Sequence, residues 1–280
     1  MMKIHWNYLT AIARKDLLEV RQNRAAWLPM LIVPLIFILV LPLATIFIPS
    51  AMGATSETLT QDADLEVFLA NMPPSFKESL EGLEPVALMV KVMLGYFMAP
   101  MFLIFPIMFS TIIAAESFAG ERERKTLEAL LYTAASDLEL FLGKVLAAML
   151  PALGLSWGSF LLYTVVLNAA GYNLFGGLWF PLATWWPLIF WISPGLALLG
   201  TSATVLISAK TPTFMGAYQS SASLVIVVIG FLVGQATGVL YLSVGVGMII
   251  GLGVWIIAAV LTGVAVGSFQ RSRLLVQAAN

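Results

Sequence analysis

Of 280 residues, 60% are hydrophobic and only 10% charged, and a mean hydropathy of +0.95 lies outside the range of soluble domains. With no cysteine and one histidine, His5, a single chain can build no disulfide, thiolate metal site, Cys nucleophile, His-based metal site or triad. The formal net charge of −1 conceals a strong separation of charge along the chain.

Residues 4–24 are predicted to form a basic amphipathic helix, with Ile4, Tyr8, Ile12, Leu17 and Val20 available to a buried or lipid-facing side. The uncharged run that follows starts too late and runs too long for a cleavable signal peptide, so it reads as a retained span. A membrane crossing needs roughly 20 apolar residues. On that measure the uncharged stretches hold six spans, near 25–48, 92–115, 145–168, 184–208, 217–235 and 242–267. The loop at 49–91 is broken by Pro73 and Pro74 into two expected short helices, one carrying Leu65, Phe68, Leu69 and Met72 and the other Leu80 and Leu83. One transmembrane domain over 1–280 is expected, all-α, with 1–24 as an amphipathic helix, 49–91 as an outer loop and 116–144 as a cytoplasmic region.

Orientation follows from the basic residues. Lys3, Arg14, Lys15, Arg21, Arg24, Arg122, Arg124, Lys125, Lys144, Lys210, Arg271 and Arg273 all fall on one side of a six-span chain. Only Lys77 and Lys91 fall on the other, in a loop that also carries Glu57, Asp62, Asp64, Glu66, Glu78, Glu81 and Glu84. Both termini are therefore expected in the cytoplasm, with the chain in a prokaryotic plasma membrane.

Between spans two and three the chain reads ERERKTLEALL over 121–131, where six of eleven residues are charged yet Leu127, Leu130 and Leu131 recur at helical spacing. This pattern predicts a short amphipathic helix at a membrane surface. Enzymatic readings fail in turn. The glycine spacing at Gly195 and Gly200 is followed by Thr201 and Ser202 rather than the Lys of a phosphate-binding loop, and no span carries the paired aspartates of an intramembrane protease. Lys91, Lys144 and Lys210 sit at span ends, which disfavours a Ser–Lys dyad. No ionisable residue lies near the bilayer midplane, so energy for transport has to come from outside the chain. Glu116, one residue past the second uncharged run, is either a snorkelling carboxylate or the nearest candidate for an ion-coupled role.

Residues 121–144 resemble the signature region of the ABC transporter type-2 permease family, usually E-[RK]-E-x-G-T-L-E-x-L-L, then a turn with Pro and Ser, then G-K. Glu121, Arg122, Glu123, Thr126, Leu127, Glu128, Leu130, Leu131, Ser136, Gly143 and Lys144 match that pattern. Lys125 stands where glycine is usual and Ala134 where proline is usual. The opening segment ARKDLLEVRQNR and the following span with Pro34 are similar to the family's start.

The resemblance implies a non-enzymatic permease of an ATP-driven exporter, working as a homodimer or heterodimer in membrane lipid. Two separate ABC ATPase subunits would carry the ATP and magnesium, leaving this chain without a cofactor, and no nucleic-acid partner is implied. It also implies that Glu121, Arg122, Glu123, Arg124, Thr126, Leu127, Glu128, Leu130 and Leu131 form a coupling helix against the ATPase, with charges fixing orientation and leucines supplying anchor area. The amino-terminal helix would lie along the interface as a connecting helix. A rival reading is an ATP-independent channel or a membrane scaffold that binds another cytoplasmic protein.

Three weaker features remain. Glycine pairs at Gly154/Gly158, Gly234/Gly238, Gly247/Gly251 and Gly263/Gly267 serve either packing within one chain or a dimer seam. Gln219, Ser220 and Ser223 give the start of span five unusual polarity, spent either on hydrogen bonds between helices or on a transport path. Trp27, Trp179, Trp185 and Trp186 fall near span ends, where interfacial anchors are expected.

Overall fold

The computed structural model describes residues 6–51, 72, 74–126, 136–237 and 240–268. Among these residues the helices, in chain order, are α1 (Trp6–Gln22), α2 (Arg24–Pro49), α3 (Pro74–Glu78), α4 (Pro85–Glu123), α5 (Asp137–Phe175), α6 (Trp185–Ser208), α7 (Phe214–Ala236) and α8 (Val244–Ser268). No strand occurs among the described residues. All but α1 and α3 are long and apolar enough to cross a membrane, which gives the six spans expected.

Apolar content alone does not say which spans form the centre; packing does. In α4 and α6, 78% of the most apolar stretch is buried, against 22% in α2, 17% in α7 and 22% in α8. Helix α6 packs against both α4 and α8, while α5 packs against α4 and α1. Gly200 lets α6 approach α4 closely, since a Cβ there would come within 2.5 Å of Ser110 Oγ. The centre is aromatic: Phe102, Phe105, Phe160, Tyr163, Phe180 and Trp185 stack or meet edge to face with ring centroids 4.7 to 6.1 Å apart.

Two helices run past their expected limits. Helix α4 begins before residue 92 and continues past residue 115, and α5 starts at Asp137; each is 39 residues long. At 1.5 Å per residue that is roughly 58 Å, about twice the hydrocarbon thickness. Lys91, Glu116, Glu121, Glu139 and Lys144 fail to end these helices because each finds a partner within the protein.

At the end of the bundle near the 72–83 segment, α4 widens to a π-helical turn at Lys91–Phe97. Three successive carbonyls there are each capped from a different span: Leu94 by the Tyr163 hydroxyl at 2.8 Å, Gly95 by Trp185 Nε1 at 2.6 Å and Tyr96 by Gln235 Nε2 at 2.8 Å. An uncapped carbonyl in hydrocarbon costs several kcal/mol, so these side chains fix α5, α6 and α7 against α4. Trp185 is thus fully buried, not an interfacial anchor, because its ring N–H serves a backbone carbonyl. Trp186 and Trp27 are both exposed. Met72, Phe76 and Leu80 pack on Val92 and Tyr96 as a small cap over this end, whereas Leu65, Phe68 and Leu69 lie outside the described residues.

Of the glycine pairs, Gly247 and Gly251 serve packing inside the chain. A Cβ would meet Pro187 at 3.0 Å at the first and collide with Trp191 at the second, so both admit the α6 side of the bundle. Gly154 and Gly158, like Gly263 and Gly267, face open space.

Candidate coupling region

The motif at 121–131 does not form one free-standing helix. Glu121, Arg122 and Glu123 are the last turn of α4, continuous with the span. The helix stops there by a Schellman arrangement: Thr126 N–H bonds the Glu121 carbonyl at 2.9 Å and Lys125 N–H bonds the Arg122 carbonyl at 3.0 Å. That geometry requires a left-handed residue at position 125, and Lys125 has φ 58°. The family's usual glycine at this position is the residue the backbone favours. Leu127, Glu128, Leu130 and Leu131 lie outside the described residues.

The four charges before the stop are used inside the chain. Glu121 is buried; one of its oxygens pairs with Lys15 of α1, and Lys144 Nζ of α5 lies 2.7 Å from the other. Arg122 Nη1 donates to the carbonyls of Ser208 and Ala209, at the end of α6, at 2.8 and 3.2 Å. Glu123 Oε2 accepts the Phe214 N–H at 2.8 Å, at the start of α7. Arg124 binds Glu116 at 2.5 Å and Glu19 of α1 at 2.9 Å. One turn of helix therefore holds α1, α5 and the α6–α7 connection together. The Glu121 carboxylate offers no surface to a partner, so any part it plays in coupling is internal.

Lys144 sits at the middle of this junction and is completely buried. Its ammonium donates to the Ser117 carbonyl at 2.6 Å, lies 3.2 Å from Ser117 Oγ and 3.6 Å from Asp16 Oδ2, and rests over the Phe118 ring at 5.2 Å. Ser117 belongs to a second π-helical turn of α4, Glu116–Gly120, and its hydroxyl donates to buried Asp16. Gly143, one residue before Lys144, makes this proximity possible: a Cβ there would stand 3.2 Å from Ile12 Cδ1 of α1. Both residues of the G-K pair thus face α1.

Helix α5 is started by a capping box, with Ser136 Oγ accepting the Glu139 N–H at 3.3 Å and Glu139 Oε2 accepting the Ser136 N–H at 2.9 Å. Asn23, between α1 and α2, accepts the Ala25 N–H at 3.0 Å and donates to Glu116 Oε2 at 2.7 Å. Glu116 is therefore a buried partner of Asn23 and Arg124, not a snorkelling group. Carboxylate oxygens of Asp16, Glu19 and Glu121 lie within 4.8 Å of one another, as a cation site would require, but the Lys15 ammonium already pairs with all three. Burial alone would lower the Lys15 pKa; Glu121, Asp16 and Glu19 outweigh it and raise the ammonium above its ordinary 10.5. Arg124 is likewise raised, its partial burial overcome by Glu116 and Glu19.

On α1, Ile12 and Val20 are buried as expected, whereas Leu17 is exposed and the side chains of Ile4 and Tyr8 lie outside the described residues. Asp16, at i+4 from Ile12 and i−4 from Val20, was the available sign of the junction: a carboxylate on the apolar stripe needs a buried cation. Gln219, Ser220 and Ser223 are exposed on α7, five to nine residues past Phe214, whose N–H bonds Glu123, and among the described residues Ser223 Oγ bonds only back to the Ser220 carbonyl at 2.7 Å.

Six apolar spans and an interlocked charged end define a polytopic, all-helical membrane protein without a nucleotide-binding loop of its own. The chain belongs to the ABC-2 family: the model of the ABC-2 family transporter protein matches residues 10–275. No curated protein and no solved structure matches it. Membership makes it a transporter's membrane subunit, not its ATPase, and implies association with an ABC ATPase subunit.

Proposed function

We propose that this chain is the permease of an ATP-driven exporter, that two permease copies assemble with two ATPase subunits, and that ATPase movement enters through residues 121–144. The observation that carries this reading is the inward commitment of Glu121, Arg122, Glu123 and Arg124 to α1, α5 and the α6–α7 connection. A displacement applied at 127–135 reaches four elements at once through that turn. In the same reading the membrane is a prokaryotic plasma membrane, and the end bearing α1 and the junction is cytoplasmic because the basic residues gather there. Leu127, Leu130 and Leu131 supply the anchor area for the ATPase, with Glu128 at the rim.

Gln219, Ser220 and Ser223 line the transport path on the exposed face of α7. Their polarity is not spent on hydrogen bonds to another span among the described residues, which favours cargo or a dimer axis over packing within one subunit.

Replacing Leu127 and Leu130 with Asp tests the docking site. Membrane insertion should be unchanged, while co-purification of a P-loop ATPase in mild detergent should fall at least tenfold, since a central anchor is worth about 2 kcal/mol or more. Wild-type chain that brings down no ATPase, but does bring down another cytoplasmic protein, would favour the scaffold or channel reading. Undiminished ATPase capture by the double variant would remove the segment from the mechanism.

A further inference from the structure

A cleft of about 590 Å³ opens between α1, α2, α4 and α5, apart from both the charged junction and the polar face of α7. Its walls include Leu17 of α1, Trp27 and Leu31 of α2, Ile113 of α4 and Leu155 of α5. Among the described residues the one charged group lining it is Arg21, in the last turn of α1. Arg21 is exposed and forms no ion pair with any described residue. It thus differs from Lys15 and Arg124 on neighbouring faces, which are fully engaged with carboxylates.

The geometry assigns this cleft to a resident anionic phospholipid of the leaflet on the α1 side, with its phosphate at Arg21 and an acyl chain along Leu17, Trp27 and Leu31. Three observations support that occupant. The cleft begins at α1 and follows α2 inward from Trp27 to Leu31, so its mouth is at headgroup level and its floor in hydrocarbon; an aromatic ring at the mouth is typical of that boundary. Its volume and apolar walls suit a single chain, and a lone cation at the rim complements a phosphate. Arg14 and Arg21 are seven residues apart on one exposed stripe of α1, with exposed Leu17 between them, the pattern of a helix lying on an anionic lipid surface. Because α1 is tied to α4 and α5 through Asp16 and Lys15, a lipid wedged beneath its last turn would set the angle at which it enters the junction.

The test uses the full chain, delipidated in a neutral detergent and reconstituted in nanodiscs of phosphatidylcholine with increasing phosphatidylglycerol. Lipid retained by the protein is counted by native mass spectrometry. Phosphatidylglycerol should saturate at one molecule per chain and be retained at least fivefold better than phosphatidylcholine. The R21Q variant, altered only at an exposed side chain, should lose that preference by about fivefold, the weight of one basic group near an anionic surface. Leu155→Trp, which fills the floor, should lose retention of both lipids. Bromine on the chain of phosphatidylglycerol should quench wild-type fluorescence more than that of a Trp27→Phe variant. Equal retention of the two headgroups, or an R21Q variant that keeps the preference, overturns the proposal. So does cross-linking of two copies through cysteines placed at Leu31, which would make the cleft a subunit seam. Loss of the bound lipid in step with ATP turnover, once the ATPase is added, would make the occupant cargo and overturn its assignment as resident.

Discussion

Lys144→Met is the perturbation that most directly tests the charged junction. The ammonium it removes is fully buried, 2.6 Å from the Ser117 carbonyl and 2.7 Å from Glu121 Oε2. Methionine fills similar volume but donates nothing, so Glu121 and Asp16 are left with Lys15 as their one shared cation and the Ser117 carbonyl loses its partner. Breaking a buried pair from one side costs about 3–5 kcal/mol. Glu121→Gln alone leaves Lys144 with Asp16 and Ser117 and should cost less. In the double variant Glu121→Gln/Lys144→Met the undercompensated charge at Glu121 disappears, so its cost should fall short of the sum of the two single costs by about 2 kcal/mol. Denaturant unfolding in a defined micelle, followed by tryptophan fluorescence, measures all three. A Lys144→Met cost below about 1 kcal/mol, or strict additivity, would show that the junction is wetted and its charges independent. Lys15 gives an internal check. Its pKa is raised above the ordinary 10.5, so its contribution is complete below that value and is lost only as pH rises through the folded one. Stability between pH 6 and 9 should show no step from Lys15.

Lys125→Gly should raise stability by up to about 1 kcal/mol, because relief of the left-handed strain at φ 58° exceeds the entropy glycine adds to the unfolded chain; Lys125→Val should lower it, and a lower melting temperature for the glycine variant would contradict the Schellman stop. Gly143→Leu should cost about 1–3 kcal/mol by driving against Ile12, with amide exchange accelerated in α1 and not in α6; exchange that rises everywhere would deny a local role. Gln219→Leu and Ser223→Val should change substrate-stimulated ATP hydrolysis without lowering expression or dimer yield, and loss of stability with normal turnover would make these residues packing contacts instead.

What the sequence determined by itself is what a low-dielectric solvent enforces. Uncharged runs of sufficient length must be helices that cross, which is why six spans could be read without any contact being known, and why the charged residues fall between the runs or beyond them. The motif at 121–144 was legible because its residues are recognisable one at a time, and the odd lysine at 125 marked the very position where the backbone turns left-handed. Tertiary structure alone decided which spans are central, since α2 and α8 are as apolar as α4 yet mostly exposed. It also decided what the charges are for. A run such as Glu121 to Arg124 is the same on a solvated face or in a buried joint; only the arrival of Lys15, Asp16 and Lys144 from two other helices turns it inward, and those partners lie more than a hundred residues upstream in one case and about twenty downstream in the other. Trp185 shows the same limit, because an indole at a span end serves equally at an interface or, as here, on a carbonyl freed by a π-helical turn 90 residues away.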